Sequence, residues 1–175
     1  MNDFSARIFI ETPRLYVRTW SQDDIEDLYN VMSNPAVHQY TAEKPWNIER
    51  CFEQIDYCIK NKFGQSPGLF NCPLICRKNG HLIGLVGLNP YLKDKNIPEI
   101  EFFINQSFWS KGYATEIGAA ILEYGFKKCG FASITGLTSQ ENIASKKVLH
   151  KIGMRFVGNE PKNKKIYSFY QAKNC

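Results

Sequence analysis

Glu99-Ile100-Glu101-Phe102-Phe103-Ile104-Asn105-Gln106-Ser107-Phe108-Trp109-Ser110-Lys111-Gly112-Tyr113-Ala114-Thr115-Glu116 decides how this chain folds. Residues 99–104 read as a strand, with the two carboxylates, Glu99 and Glu101, on one face. From 114 to 126 the inward residues are Ile117, Ala120, Ile121, Tyr124 and Gly125, the stripe of a helix. Lys111-Gly112-Tyr113-Ala114 places small residues where the chain turns from one into the other. A helix entered this way offers unpaired backbone N–H groups and the positive end of its dipole, a site suited to an anion such as a pyrophosphate.

Working outward, residues 14–19 alternate Leu15 and Val17 with Arg14, Tyr16 and Arg18, a first strand with one buried face. Ser21 with Asp24 forms a helix-start box, and Ile25, Leu28, Tyr29 and Met32 follow at helical spacing until Asn34-Pro35. Asn47 caps a second helix bearing Ile48, Cys51, Phe52, Ile55, Cys58 and Ile59. Two apolar runs, 74–77 and 81–88, flank Asn79-Gly80, the strongest short hairpin signal. Beyond the central helix come a short strand over 133–137, a helix over 142–152 and a last strand pair over 155–158 and 166–172. The order predicts one α+β domain over 1–175, with its core over about 10–172. Its sheet is mixed, mostly antiparallel and of about seven strands, with about four helices.

Composition fits a folded globular protein: 43% hydrophobic and 14% aromatic. The formal charge of +5 is mild and scattered, apart from Lys162, Lys164 and Lys165, and predicts no direct DNA binding. Neither a signal peptide nor a membrane-spanning run is legible, and the six cysteines have no zinc-site spacing; they read as reduced thiols of a cytoplasmic protein. No metal site is expected. No G-x-x-x-x-G-K and no G-x-G-x-x-G occurs, so nucleoside triphosphates and dinucleotides find no support.

Three stretches then carry a resemblance. Thr12-Pro13-Arg14-Leu15-Tyr16-Val17-Arg18, with Asp23-Asp24 and Asn34-Pro35-Ala36-Val37, is similar to the entry strand and first helix of the RimJ/RimL-like branch of the GNAT N-acetyltransferase superfamily. Trp109-Ser110-Lys111-Gly112-Tyr113-Ala114-Thr115-Glu116 resembles that branch's acetyl-CoA loop, Q/R-x-x-G-x-G/A. Asn142-Ile143-Ala144-Ser145-Lys146-Lys147-Val148-Leu149, followed by Ile152-Gly153-Met154, resembles its N-x-x-S-x-x-V-L…GF segment. The likeness runs from about residue 10 to 170.

The resemblance implies a three-layer α/β/α GNAT-like fold, splayed at a cofactor cleft, and acetyl-CoA-dependent transfer to a primary amine. The acceptor is a protein N-terminus, such as that of a ribosomal protein, or a small amine; a homodimer is possible. It assigns the cofactor to the backbone of Phe102, Phe103 and Ile104, to the loop Trp109, Ser110, Lys111, Gly112, Tyr113, Ala114 and Thr115, and to Asn142 and Ser145. Trp109 stands where Gln or Arg is usual and leaves binding to the backbone. Asn142 also suits a plain helix cap. An amine with a pKa near 10 arrives protonated, so a base is needed; Glu99 and Glu101 are the candidates. Leu149 occupies the position of the leaving-thiolate Tyr found in many members, which leaves Ser145 as a candidate donor. Tyr40, Trp46, Phe52 and Phe70 are candidates to line the acceptor pocket, and the basic turn near Lys164 is a minor candidate for a phosphate contact. The missing Tyr also keeps open a non-catalytic acyl-CoA-binding or ribosome-docking protein.

Overall fold

The computed structural model describes residues 6–91, 93–162 and 165–174. Its centre is a mixed sheet of eight strands in the order β1-β2-β3-β4-β5-β6-β8-β7. The strands are β1 (Ile8–Glu11), β2 (Leu15–Arg18), β3 (Phe70–Cys76), β4 (Leu82–Pro90), β5 (Pro98–Ile104), β6 (Ser133–Ser139), β7 (Arg155–Lys162) and β8 (Lys165–Lys173). Helices α1 (Ile25–Met32) and α2 (Ile48–Lys60) lie on one face, α3 (Tyr113–Lys127) and α4 (Ile143–Lys151) on the other. Among the described residues no helix is long and apolar enough to cross a membrane.

The sheet has one strand more than the sequence predicts. Ile8-Phe9-Ile10 does not alternate cleanly, and its ladder with β2 slips between Ile8 and Ile10, so a period-2 reading passes over β1. β3 also starts earlier than expected, at Phe70, and runs through Pro73. A proline argues against a central strand, but the ladder with the short β2 begins only at Leu74, so no donor is required there on that side.

Local chemistry sets the ends. Ser21 and Asp24 form the anticipated capping box, and the Asn47 side chain accepts from the Arg50 amide. Gly80 closes the β3–β4 hairpin at φ 71°. The core is continuous through the sheet: Leu15, Leu28, Ile55, Leu74, Ile83, Leu88, Ile117 and Ile121 are fully buried, each contributing about 1.5–3 kcal/mol of transfer free energy. In α3 the buried side is Ile117, Gly118, Ile121, Leu122 and Gly125, with Ala120 and Tyr124 half-buried beside it. In α4 only Leu149 is fully inward, and Ala144 is exposed.

β5 pairs with β4 along its whole length, from Pro98↔Pro90 to Ile104↔Gly84. With β6 it is parallel and paired at one position, Glu99↔Thr135, where the Thr135 hydroxyl also donates to the Pro98 carbonyl (3.1 Å). Beyond that point the two strands part.

Candidate functional site

The opening between β5 and β6 has a defined chemical lining. Tyr91 donates its amide to the Ile97 carbonyl and Asn105 to the Ile83 carbonyl, so the odd-numbered residues of β5 turn their backbone groups to β4. Antiparallel alternation then turns those of Ile100, Phe102 and Ile104 toward β6, and the last two lie past the end of its ladder. Phe103 has its backbone on β4 and its ring 5.8 Å from that of His38. The Trp109 indole N–H donates to the Ile104 carbonyl (2.7 Å). The side chain that replaces Gln or Arg thus ties the loop to the strand end.

The loop after β5 ends in two left-handed residues, Ser110 at φ 59° and Gly112 at φ 78°. Gly112 is the N-cap of α3 and no side chain caps the helix. The first helical bond is Glu116 N–H to the Gly112 carbonyl, so the amides of 112–115 point out of the helix end unpaired within it. Two left-handed residues before a 15-residue helix leave a row of N–H donors at its end, an arrangement suited to an anion. Thr115 is half-buried in the first turn; Lys111 donates its ammonium to the Ser107 carbonyl (2.8 Å) and lies over the Phe108 ring.

This loop is held from the far side of the sequence. Arg14 donates through Nε to Glu116 (2.5 Å) and through Nη1 to the Lys111 carbonyl (2.9 Å), and its guanidinium lies 4.6 Å over the Tyr113 ring. Glu116 also accepts from the Thr12 hydroxyl (2.6 Å) and the Arg14 amide (3.0 Å). Burial pushes the Glu116 carboxyl up, but these bonds and the Arg14 charge more than offset it and hold it below the usual range.

Across β6, Asn142 caps α4 by accepting the Ser145 amide (3.0 Å), and both residues are half-buried. With one lone pair of Oδ1 so engaged, Asn142 still has its side-chain NH2 to offer a ligand.

Glu99 and Glu101 share the face of β5 toward α1 and α2, and they differ in surroundings. Glu101 Oε2 accepts from Asn89 Nδ2 (2.8 Å) and Asn71 Nδ2 (3.1 Å); Asn71 Oδ1 in turn accepts from Gln54 Nε2 on α2 (3.1 Å). The reach from Asn71 to Glu101 spans β4 at Gly87, which stands in register with both. A Cβ at 87 would sit 2.6 Å from the Phe70 carbonyl and 3.2 Å from Asn89 Nδ2. Glu99 lies at the last β6-paired position and adds its charge to the surroundings of Tyr91. The Tyr91 phenol is raised by burial, by its hydrogen bond to Glu160, and by the charges of Glu160 and Glu99.

Of the aromatics expected around an acceptor, Phe70 is core instead: it is 1% exposed and packs on Phe9 and Tyr124. Alternation along β3 puts it opposite Asn71, on the α3 face. Phe52 is half exposed on α2, Tyr40 is half-buried, and Trp46 is half-buried with its indole N–H on Glu43 (3.1 Å). A surface depression of about 460 Å³ lies at Glu43, Lys44, Pro45, Trp46, Asn47 and Arg50, none of them from β5 or β6. His38 is buried in a 3-10 turn: Nε2 donates to the Met32 carbonyl (2.7 Å), and Nδ1 has no partner among the described residues. His81 and His150 are exposed. The basic turn at Lys162 and Lys164 lies outside the described side chains.

Sequence reasoning missed Asn71, Asn89, Gln54 and the Arg14 tie. The signal present was weak: two asparagines, one shortly before the apolar run at 74–77 and the other directly after the run that ends at 88.

A family model described as Acetyltransferase (GNAT) domain matches residues 14–155. The chain is 35% identical over 149 residues to the uncharacterized N-acetyltransferase YnaD of Bacillus subtilis, covering 85% of this chain and 84% of that one. Its fold superposes on a GNAT-family acetyltransferase from Bacillus anthracis with a TM-score of 0.80 at 27% identity, over 94% of this chain and 98% of that one. RimL, a ribosomal L7/L12 alpha-N-protein acetyltransferase solved with coenzyme A, gives a TM-score of 0.78 at 14% identity, over 95% and 98%, a likeness of fold.

Proposed function

The chain belongs to the GNAT acetyltransferases, and on that premise we propose that it moves the acetyl group of acetyl-CoA to a primary amine by direct attack on the thioester. One observation carries the reading most: the parting of β5 from β6 next to an uncapped, glycine-led helix end. An extended pantetheine arm can pair with the turned-out groups of Phe102 and Ile104 as an added strand, while the amides of 112–115 hold the pyrophosphate. Asn142 contacts the arm from α4, and Ser145 is the donor to the leaving sulfur. A backbone N–H of β5 polarises the thioester carbonyl.

Direct attack is favoured over a cysteine intermediate. Burial pushes the Cys51 thiol to about 11 and Cys58 to about 12, and it raises Cys72 and Cys129 as well, so these thiols stay protonated and unreactive at neutral pH. The carboxylates Glu99 and Glu101 give the acceptor side a preference for a cationic amine, whether a protein N-terminus or a small amine.

Free-thiol release from acetyl-CoA is the assay, run against N-terminal peptides, polyamines, amino acids and amino sugars. Release with at least one acceptor is expected. Calorimetric titration with acetyl-CoA to about 1 mM, a Kd equivalent to roughly −4 kcal/mol, that gives no binding heat would sink the proposal. Binding without turnover by any amine would point to an acyl-CoA-binding protein.

A further inference from the structure

Two carboxylates stand on the acceptor face, and their places along β5 separate them. Glu101 is two residues beyond the last β6-paired position, level with the open stretch of β5, whereas Glu99 is still opposite Thr135. Two amide donors on this face, Asn71 from β3 and Asn89 from β4, converge on the same oxygen of Glu101. Asn71 is 6% exposed, and its orientation is fixed: Gln54 donates to its Oδ1, which leaves Nδ2 for the carboxylate, while its main-chain carbonyl accepts from the Trp20 indole (2.7 Å). The missing side chain at Gly87 is what lets this contact cross a strand. Amides arranged as donors around one carboxylate oxygen stabilise the ionised form and fix its rotamer.

We propose that Gln54, Asn71 and Asn89 are positioning residues for Glu101, and that Glu101, rather than Glu99, takes the proton from the incoming ammonium. This rests on the acetyl-transfer reading above. In the step served, the ammonium gives one proton to the Glu101 carboxylate. The nitrogen lone pair forms the C–N bond to the acetyl carbon and the C–S bond breaks. Its electron pair leaves on sulfur, and the thiolate takes a proton from the Ser145 hydroxyl, which regains one from the former amine. The products are the amide, free coenzyme A and the proton that Glu101 returns to solvent. Through Gln54, helix α2 is joined to the base, so the wall of the acceptor side and the group that deprotonates the acceptor move as one unit.

The test is a kinetic double-mutant cycle on the full chain. Glu101→Gln is expected to lower kcat about 10²-fold, the lower end for general-base loss, with acetyl-CoA affinity unchanged within about twofold. Asn71→Ala and Asn89→Ala are each expected to lower kcat about tenfold, and to cause no further loss once Glu101 is Gln. Asn89, half-buried near the end of β4, supplies the variant if Asn71→Ala does not fold. A second measurement needs no acceptor: a carbon NMR titration of the Glu101 carboxyl, whose midpoint should rise in each Asn→Ala variant as donors to the ionised form are lost. The other titratable groups about this face are Glu99 on β5, His38 across Phe103, Tyr91 at the end of β4, and Cys58 on α2 beside Gln54. They are common to all the variants compared. Full kcat in Glu101→Gln, multiplicative losses in the double variants, or an unmoved midpoint would each overturn the assignment and leave acetyl-CoA binding intact. A wild type that does not bind acetyl-CoA would instead refute the proposed function.

Discussion

Glu116 shows how one side chain can join distant parts of the chain. Its two oxygens take the Thr12 hydroxyl, the Arg14 amide and the Arg14 guanidinium, fastening β2's approach to the first turn of α3. The carboxylate is 16% exposed while Arg14 is 47% exposed, so solvent weakens the ion pair and the hydrogen bonds carry most of its value. Glu116→Gln should cost about 1–2 kcal/mol at pH 7 by urea denaturation. The folded carboxyl lies below its unfolded value of about 4.3, so its ionisation adds stability above that pH. That contribution drains as the pH falls through the folded value, and the two proteins should converge in stability below it.

At the scale of the element, the N-terminus of α3 depends on a residue that can sit at φ 78°. Gly112→Glu would strain that turn and put a carboxylate among the donors proposed for the pyrophosphate. An acetyl-CoA Kd raised at least about 10²-fold in calorimetry is expected, with like charge costing several kcal/mol. This element was legible in the sequence, since the strand, the Lys111-Gly112 turn and the helix stripe each announce themselves through local periodicity. So were the Asn142 cap and the Asn79-Gly80 hairpin. What stayed illegible is non-local. The Asn71–Glu101 contact exists because register aligns 71, 87 and 101 across three strands, and no spacing along the chain encodes that. β1 escaped because an edge strand of four residues with a slipped ladder has no period to read. The choice between Glu99 and Glu101 needed the point where β6 departs, a property of two strands separated by a helix.

For the whole molecule, the single paired position between β5 and β6 divides the sheet. β1 to β5 form one antiparallel stretch and β6, β8 and β7 another, with α3 packed against β4 and β5 on one side and β6 on the other. A sheet joined this way should open in two cooperative units. Hydrogen exchange without ligand is expected to show separate protection levels for β3–β5 and for β6–β8, and saturating acetyl-CoA should raise both and protect the amides of Phe102 and Ile104. Uniform protection across the seam, unchanged by acetyl-CoA, would contradict this.

The seam also sorts the chain by task. Gln54, Asn71, Asn89 and Glu101 all precede it in sequence, whereas Asn142 and Ser145 follow it. On the proposed function, the residues that position the base lie between α2 and β5, whereas the contacts proposed for the donor run from Phe102 through the 112–115 loop to Asn142 and Ser145. On that proposal, drift at Gln54, Asn71 or Asn89 can retune which amine is modified while the 112–115 loop and α4 go on serving the same donor, and a graft spanning α2 to β4 would carry one protein's preference into a relative.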